Sequence, residues 1–182
     1  ALLKNFGVHE LVINLHHLGH QIEAELGDGA RLGLTIQYSH EEKILGTGGG
    51  LLQAAQFISE DDFLVLNADI IIDVNLGELI LAHRQNQAIA TLVVKASATA
   101  QQAVFVDKAG LISGIHHALR PGQPHIFTGV HLLNKAVLQP LKLNEKQCIV
   151  RDAYIPLLNH GAKLGAYSHT GYWSDVGTLE TL

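Results

Sequence analysis

Residues 45–69 read LGTGGGLLQAAQFISEDDFLVLNAD, and this stretch sets the fold class. It opens with Gly46-Thr47-Gly48-Gly49-Gly50, continues through Leu51, Leu52, Ala54, Ala55 and Ile58 at helical spacing, and stops at Glu60-Asp61-Asp62. Phe63 to Leu66 is then an unbroken apolar run, the pattern of a strand covered on both faces. Asn67-Ala68-Asp69 ends it with polar groups. A glycine turn, a helix, a buried strand and a carboxylate at the strand's carboxyl end make one unit of an alternating α/β chain.

The alternation extends outward from this unit. Upstream, Ala1 to Phe6 reads as a helix ending at Gly7, Glu10 to Asn14 as a strand, Gly19 to Leu26 as a helix closed by Gly27-Asp28-Gly29, and Leu34 to Tyr38 as a strand. Downstream, Leu76, Leu79, Ile80 and His83 mark a helix and Ala88 to Val94 a strand. From about Gln101 the segments shorten. Val104 to Val106 and Leu111 to Ile115 form a hairpin about the turn Asp107-Lys-Ala-Gly110, followed by a strand (His125 to Leu133), a helix (Arg151 to Asn159) and a last strand (Lys163 to Ser168). The expectation is one α/β domain over residues 1–182, with a Rossmann-like mixed, mostly parallel sheet and helices on both faces.

Composition narrows the function classes. The 182 residues carry 12 Lys+Arg against 17 Asp+Glu, a formal net charge of −5. A mildly acidic chain with no basic cluster has no electrostatic footprint for nucleic acid or anionic lipid. At 47 % apolar residues it can bury a core, so disorder is excluded. Cys148 is the only cysteine, which rules out an intrachain disulfide and Cys-based zinc spacings and fits a reducing cytoplasm. No apolar run approaches the roughly 18 residues of a membrane span, and the N-terminal residues lack a signal-peptide core. Methionine is absent altogether, so the natural product is expected to be longer.

Three features carry candidate chemistry. Gly46 to Gly50 lies between a strand and a helix, where backbone N–H groups can approach a ligand with no Cβ in the way. It is neither a Walker loop nor the Gly-x-Gly-x-x-Gly fingerprint of dinucleotide oxidoreductases. Asp69 leaves the sheet at its carboxyl edge, and Trp173-Ser-Asp-Val-Gly-Thr178 places Asp175 in a loop after the last strand. Two carboxylates converging at one edge supply the few hard oxygen ligands that Mg²⁺ takes, leaving the remaining positions to phosphates and water. The histidines His16, His17, His20, His116 and His117 lack accompanying cysteines, and adjacent ones on a strand point to opposite faces, which argues against zinc. His16 and His17 follow a strand end and could instead line a cleft. No Gly-x-Ser-x-Gly elbow or Ser-His-Asp arrangement is present.

Asn14-Leu-His-His-Leu-Gly19, Glu41 followed by Leu45-Gly-Thr-Gly-Gly-Gly50, Asn67-Ala-Asp69, Phe127-Thr-Gly-Val-His131 and Trp173-Ser-Asp-Val-Gly-Thr178 occur in that order. Across nearly the whole chain this resembles the sugar-1-phosphate nucleotidyltransferases, also called nucleotide-sugar pyrophosphorylases. Within them it is most similar to the uridylyltransferases acting on N-acetylmuramate 1-phosphate in cell-wall recycling, with mannose-1-phosphate guanylyltransferases close behind.

The resemblance implies a nucleotide-diphospho-sugar transferase fold, with a nucleotide-binding half to about residue 100 and a sugar-binding half beyond it. It implies that a sugar-1-phosphate oxygen attacks the α-phosphorus of a nucleoside triphosphate, UTP in the favoured case, and that pyrophosphate leaves. Asp69 and Asp175 would hold Mg²⁺. Leu45, Gly46, Thr47, Gly48 and Asn67 would contact the nucleotide; Glu41, Thr128 and Gly129 would contact the sugar phosphate or its approach. The family begins with a strand, a Gly-x-Gly-Thr-Arg loop and a Pro-Lys, and this sequence starts in the helix after them. On that basis the chain as it stands is expected to have two unpaired inner sheet edges and to be inactive. A nucleotide-sugar-binding module without catalysis is the alternative.

Overall fold

A computed structural model describes residues 2–97, 103–117 and 119–178. The chain divides into two compact units, one of residues 1–61 with 138–153 and the other of residues 62–137 with 154–182. No helix among the described residues is long and apolar enough to cross a membrane.

In the first unit, α1 (Leu2–Asn5) leads to β1 (Glu10–Leu15), α2 (Gly19–Leu26), β2 (Thr35–His40) and α3 (Gly46–Ala54). β1 and β2 run parallel in unbroken register from Glu10↔Thr35 to Leu15↔His40. Parallel neighbours need a crossover, and α2 supplies it, stopped where Gly27 turns to φ 58° and returns its N–H to Glu23 O at 2.8 Å. Among the described residues, β1 has no ladder on its other edge.

The second unit is built on β8 (Gln123–Asn134), a twelve-residue strand. It follows β3 (Asp62–Leu66), β4 (Ile70–Ile72), α4 (Leu76–Asn86), β5 (Ala90–Ala96), β6 (Val104–Val106) and β7 (Ile112–Ile115), and precedes α5 (Ile155–Asn159), β9 (Leu164–Ser168) and β10 (Trp173–Asp175). The first five residues of β5, Ala90 to Val94, are all buried. Asn75 caps α4 by accepting Glu78 N at 3.2 Å, and Leu76, Leu79 and His83 form its buried stripe. At the hairpin between β6 and β7, Asp107 Oδ1 accepts Ala109 N at 2.8 Å and Leu111 N at 3.0 Å.

The α/β class stands, and the share of parallel pairings is corrected. β3, β5 and β6 all pair antiparallel with β8, and among the described residues only β1–β2 and β5–β9 are parallel ladders. The helix between β3 and β5 does make those strands run the same way. A strand from much later in the chain then inserts between them: Leu132 faces both Leu64 and Thr91. Among the described residues β3 pairs with β8 alone, and Leu64, Val65 and Leu66 are half-buried where the apolar run reads as covered on both faces. Asp175, expected in a loop after the last strand, lies instead in β10, which forms a ribbon of three residues a side with β4. The helix expected over Arg151 to Asn159 begins two residues earlier and opens as a π-helix over Ile149–Tyr154 that runs directly into α5. There Asp152 accepts Cys148 N at 2.7 Å and pairs with Arg151 through two contacts of 2.8 and 2.7 Å.

Candidate functional site

In the second unit, β3 ends at Leu66, and Asn67 N donates to Gly129 O at 3.0 Å, pinning the exit of one strand to the middle of β8. Asp69 stands immediately before β4. β10 pairs antiparallel with β4, Trp173 opposite Ile72 and Asp175 opposite Ile70, and Val176 N donates to Asp69 O at 2.8 Å. The two aspartates therefore share one end of the ribbon. Gly177 N donates to Asp175 Oδ1 at 2.9 Å. A Cβ on Gly177 would sit 3.0 Å from Asp69 Oδ2 and 3.1 Å from Asp175 Oδ1, so both carboxylates border one small volume that only glycine leaves open. Both side chains are exposed.

The donor chemistry fits a hard divalent cation. Two exposed carboxylates supply anionic oxygens from a strand end and a turn, and no group of three or more His, Cys, Asp or Glu among the described residues could form a closed all-protein cage. Mg²⁺ characteristically takes one or two carboxylates and keeps its other positions for phosphates and water.

Behind the carboxylates, Trp173 Nε1 donates to Thr128 O at 2.9 Å, and Thr128 Oγ1 donates to Val93 O at 2.9 Å. Thr128 is buried, and its hydroxyl braces β8 against β5. Gly129 adopts φ +86°, and a Cβ there would come within 2.8 Å of Asn67 Nδ2. The structure thus brings Asn67, Asp69, Gly129 and Asp175 to one region, with Thr128 beneath it. Further along β8, His131 stacks edge-on with Phe127 at 5.2 Å and with Tyr154 at 5.8 Å and hydrogen-bonds the Tyr154 hydroxyl. Burial lowers the His131 pKa to about 3 and raises that of Tyr154 well above its ordinary value, so neither exchanges a proton near neutrality.

In the first unit, Glu41, Leu45, Gly46, Thr47 and Gly48 come together in a different manner from that expected. The glycine run is the opening of α3. Glu41 is buried, its Oε1 accepting Asn14 Nδ2 at 2.7 Å and its Oε2 accepting Leu45 N at 2.7 Å. With both oxygens occupied, Glu41 fixes the entry to the helix, and a Cβ on Gly50 would collide with it. Gly46 turns at φ +69°, where a Cβ would meet Gln147 O at 2.6 Å. Gly48 N donates to that same oxygen at 2.9 Å, Gln147 N donates to Leu45 O at 2.8 Å, and Ile149 N donates to Thr47 Oγ1 at 3.1 Å. Gly48, Gly49 and Gly50 are buried; Gly46 is half-buried and Thr47 exposed. The glycines serve a close approach between α3 and the chain's own segment 145–149.

The sequence reading passed over Gln147, whose backbone makes these bonds and carries no side-chain signal. It also left out Asp73, Lys95 and His169, which act on the ribbon below. Of the histidines, His16 Nδ1 bonds Glu41 O at 2.9 Å, while His17 and His20 are exposed.

The sequence profile described as Nucleotidyl transferase matches residues 1–182. A mannose-1-phosphate guanylyltransferase of Mycobacterium tuberculosis is 30 % identical over 178 residues, covering 96 % of this chain and 50 % of that protein. A UTP–glucose-1-phosphate uridylyltransferase of Synechocystis is 28 % identical over 199 residues, covering 98 % and 50 %. The chain thus spans about half the length of the curated relatives it matches. HddC from Yersinia pseudotuberculosis, solved in complex with GMP-PN, superposes with a TM-score of 0.81 at 18 % identity, covering 99 % of this chain and 78 % of that one. A putative glucose-1-phosphate thymidylyltransferase from Bacillus anthracis gives 0.78 at 19 %, covering 98 % and 75 %. At these identities the solved structures establish the fold.

Proposed function

Because the chain belongs to the nucleotidyl transferase family, we propose that the protein joins a nucleoside triphosphate to a sugar-1-phosphate, giving an NDP-sugar and pyrophosphate. The carrying observation is the convergence of Asp69 and Asp175 on the space beside Gly177. Attack by a sugar-phosphate oxygen on the α-phosphorus forms one P–O bond as the bond to pyrophosphate breaks. No covalent enzyme intermediate is required, so the chain's work is positioning and charge neutralisation.

Asp69 and Asp175 would hold Mg²⁺, and the ion when bound supplies positive charge to the phosphate oxygens. Asn67, exposed and fixed through its N–H to Gly129 O, is placed to contact ligand. In the first unit Gly46 and Thr47 are the parts of the glycine run left accessible for nucleotide. Glu41 and Thr128 hold backbone in place.

For substrates, the reading carried from the motifs is UTP with N-acetylmuramate 1-phosphate. GTP with mannose 1-phosphate is supported equally by the named relatives, one a guanylyltransferase and one a uridylyltransferase. Pyrophosphate release by the full-length protein, assayed with UTP and GTP against muramate, mannose and glucose phosphates, decides among them. No release with any pair, alongside saturable binding of an NDP-sugar, would establish the binding-module alternative.

A further inference from the structure

The ribbon that presents Asp175 opposite Asp69 is short, and its far end is fastened by side chains outside it. β9 ends at Ser168, and His169 N continues the edge by donating to Val94 O at 2.8 Å. The His169 side chain is buried. Its Nε2 lies 3.0 Å from Tyr172 O and 3.0 Å from Asp73 Oδ1. Both partners are acceptors, so Nε2 carries the proton and is shared between them. Asp73 directly follows β4, Tyr172 directly precedes β10, and Asp73 N donates to Tyr172 O at 3.3 Å. Lys95 Nζ, from β5, donates to Gly171 O at 2.5 Å.

A three-residue ladder specifies its register weakly, and a slip of one residue would turn every side chain of β10 to the opposite face, Asp175 included. The bond from Val176 N to Asp69 O closes the near end of β10, and the indole of Trp173, its first residue, ties the far end to Thr128 O. The chain enters that end through the turn 169–172, which His169 and Lys95 hold against β4 and β5. We propose that His169, with Asp73 and Lys95, is a positioning residue: by closing this turn onto β4 and β5 it sets the register in which Asp175 stands opposite Asp69. The proposal rests on the reading of those aspartates as a divalent-cation site.

The test is Mn²⁺ binding to the full-length protein, followed by the electron paramagnetic resonance of free Mn²⁺, for the natural sequence, Asp175→Asn, His169→Leu and His169→Gln. Glutamine can place a donor near the position of Nε2, and leucine cannot. The expected result is loss of binding in Asp175→Asn, about tenfold weaker binding in His169→Leu, the lower range for groups that orient metal ligands, and recovery in His169→Gln. Unchanged binding in His169→Leu, with Asp175→Asn defective, overturns the positioning role and leaves the cation site standing. If Asp175→Asn binds as well as the natural sequence, or neither binds, the cation-site reading falls and the proposal with it. Should His169→Leu fail to fold, Lys95→Met carries the same comparison, since it removes the bond to Gly171 O and leaves His169 intact.

Discussion

Asp69 and Asp175 lie far apart in sequence, yet the backbone carbonyl of the first accepts the amide of the residue after the second at 2.8 Å, and their carboxylates flank the same point beside Gly177. The pairing of β4 with β10 makes this arrangement, in which each aspartate is exposed.

Asp69→Asn and Asp175→Asn are therefore expected to separate activity from stability. Removing one electrostatic group aimed at transition-state charge lowers turnover by roughly 100-fold or more, whereas an exposed substitution changes folding stability by about 0.5 kcal/mol or less. Steady-state pyrophosphate release and urea unfolding on the same preparations check both halves. A fall in stability matching the fall in turnover would show that the aspartates are structural.

Gly177→Ala tests the space between them. Its Cβ would press on both carboxylates at 3.0 and 3.1 Å, so they must spread. The Mg²⁺ concentration needed for half-maximal activity is expected to rise, with the urea midpoint nearly unchanged. Chelation of the metal should abolish pyrophosphate release in the natural protein, and added Mg²⁺ should restore it.

Glu41 predicts the opposite pattern. Glu41→Ala leaves Asn14 Nδ2 and Leu45 N without the acceptors they now have, and an orphaned buried donor costs about 1–3 kcal/mol. Urea unfolding should show that loss. In a double-mutant cycle Asn14→Ala and Glu41→Ala should be non-additive, since they share one bond. Additive effects would dissolve the brace.

Stability should also fall with acidity through His131. In the unfolded chain this imidazole takes up a proton near pH 6.5, while in the folded protein burial holds its pKa at about 3. Between these values the unfolded state binds more protons, so the stabilisation is complete above pH 6.5 and lost as pH falls toward 3. The slope is about 1.4 kcal/mol per pH unit, or roughly 2 kcal/mol lost by pH 5. His83, whose pKa burial also lowers, adds to the loss with the same sign. His131→Asn, which keeps a polar side chain and cannot titrate, should flatten the profile between pH 4 and 6.5 in denaturant unfolding. An unchanged profile would place the acid sensitivity elsewhere.

The helical spacing after Gly50, the apolar run Phe63 to Leu66 and the Asp107-Lys-Ala-Gly110 turn were legible because each depends on residues within a few positions of one another. α2 and the hairpin β6–β7 follow local patterns in the same way. The ordered motifs likewise marked Asp69 and Asp175, since a carboxylate at a strand's end is a one-dimensional signal. What the sequence could not state was which strands become neighbours. β8 inserts between β3 and β5 because its twelve residues can satisfy edges on both sides, and no residue pattern encodes that choice locally. The same holds for the glycines: Gly46 to Gly50 advertise a close approach, and only the folded chain reveals that the approaching groups are Glu41 and the backbone of 145–149. Thr128 stands in a motif that implies a sugar contact, and only the folded chain shows that its hydroxyl donates to Val93 O. Sequence determined the elements and the chemical groups available; tertiary structure decided which of those groups face open space and which are held by one another, because burial and hydrogen-bond partners arise only when distant segments meet.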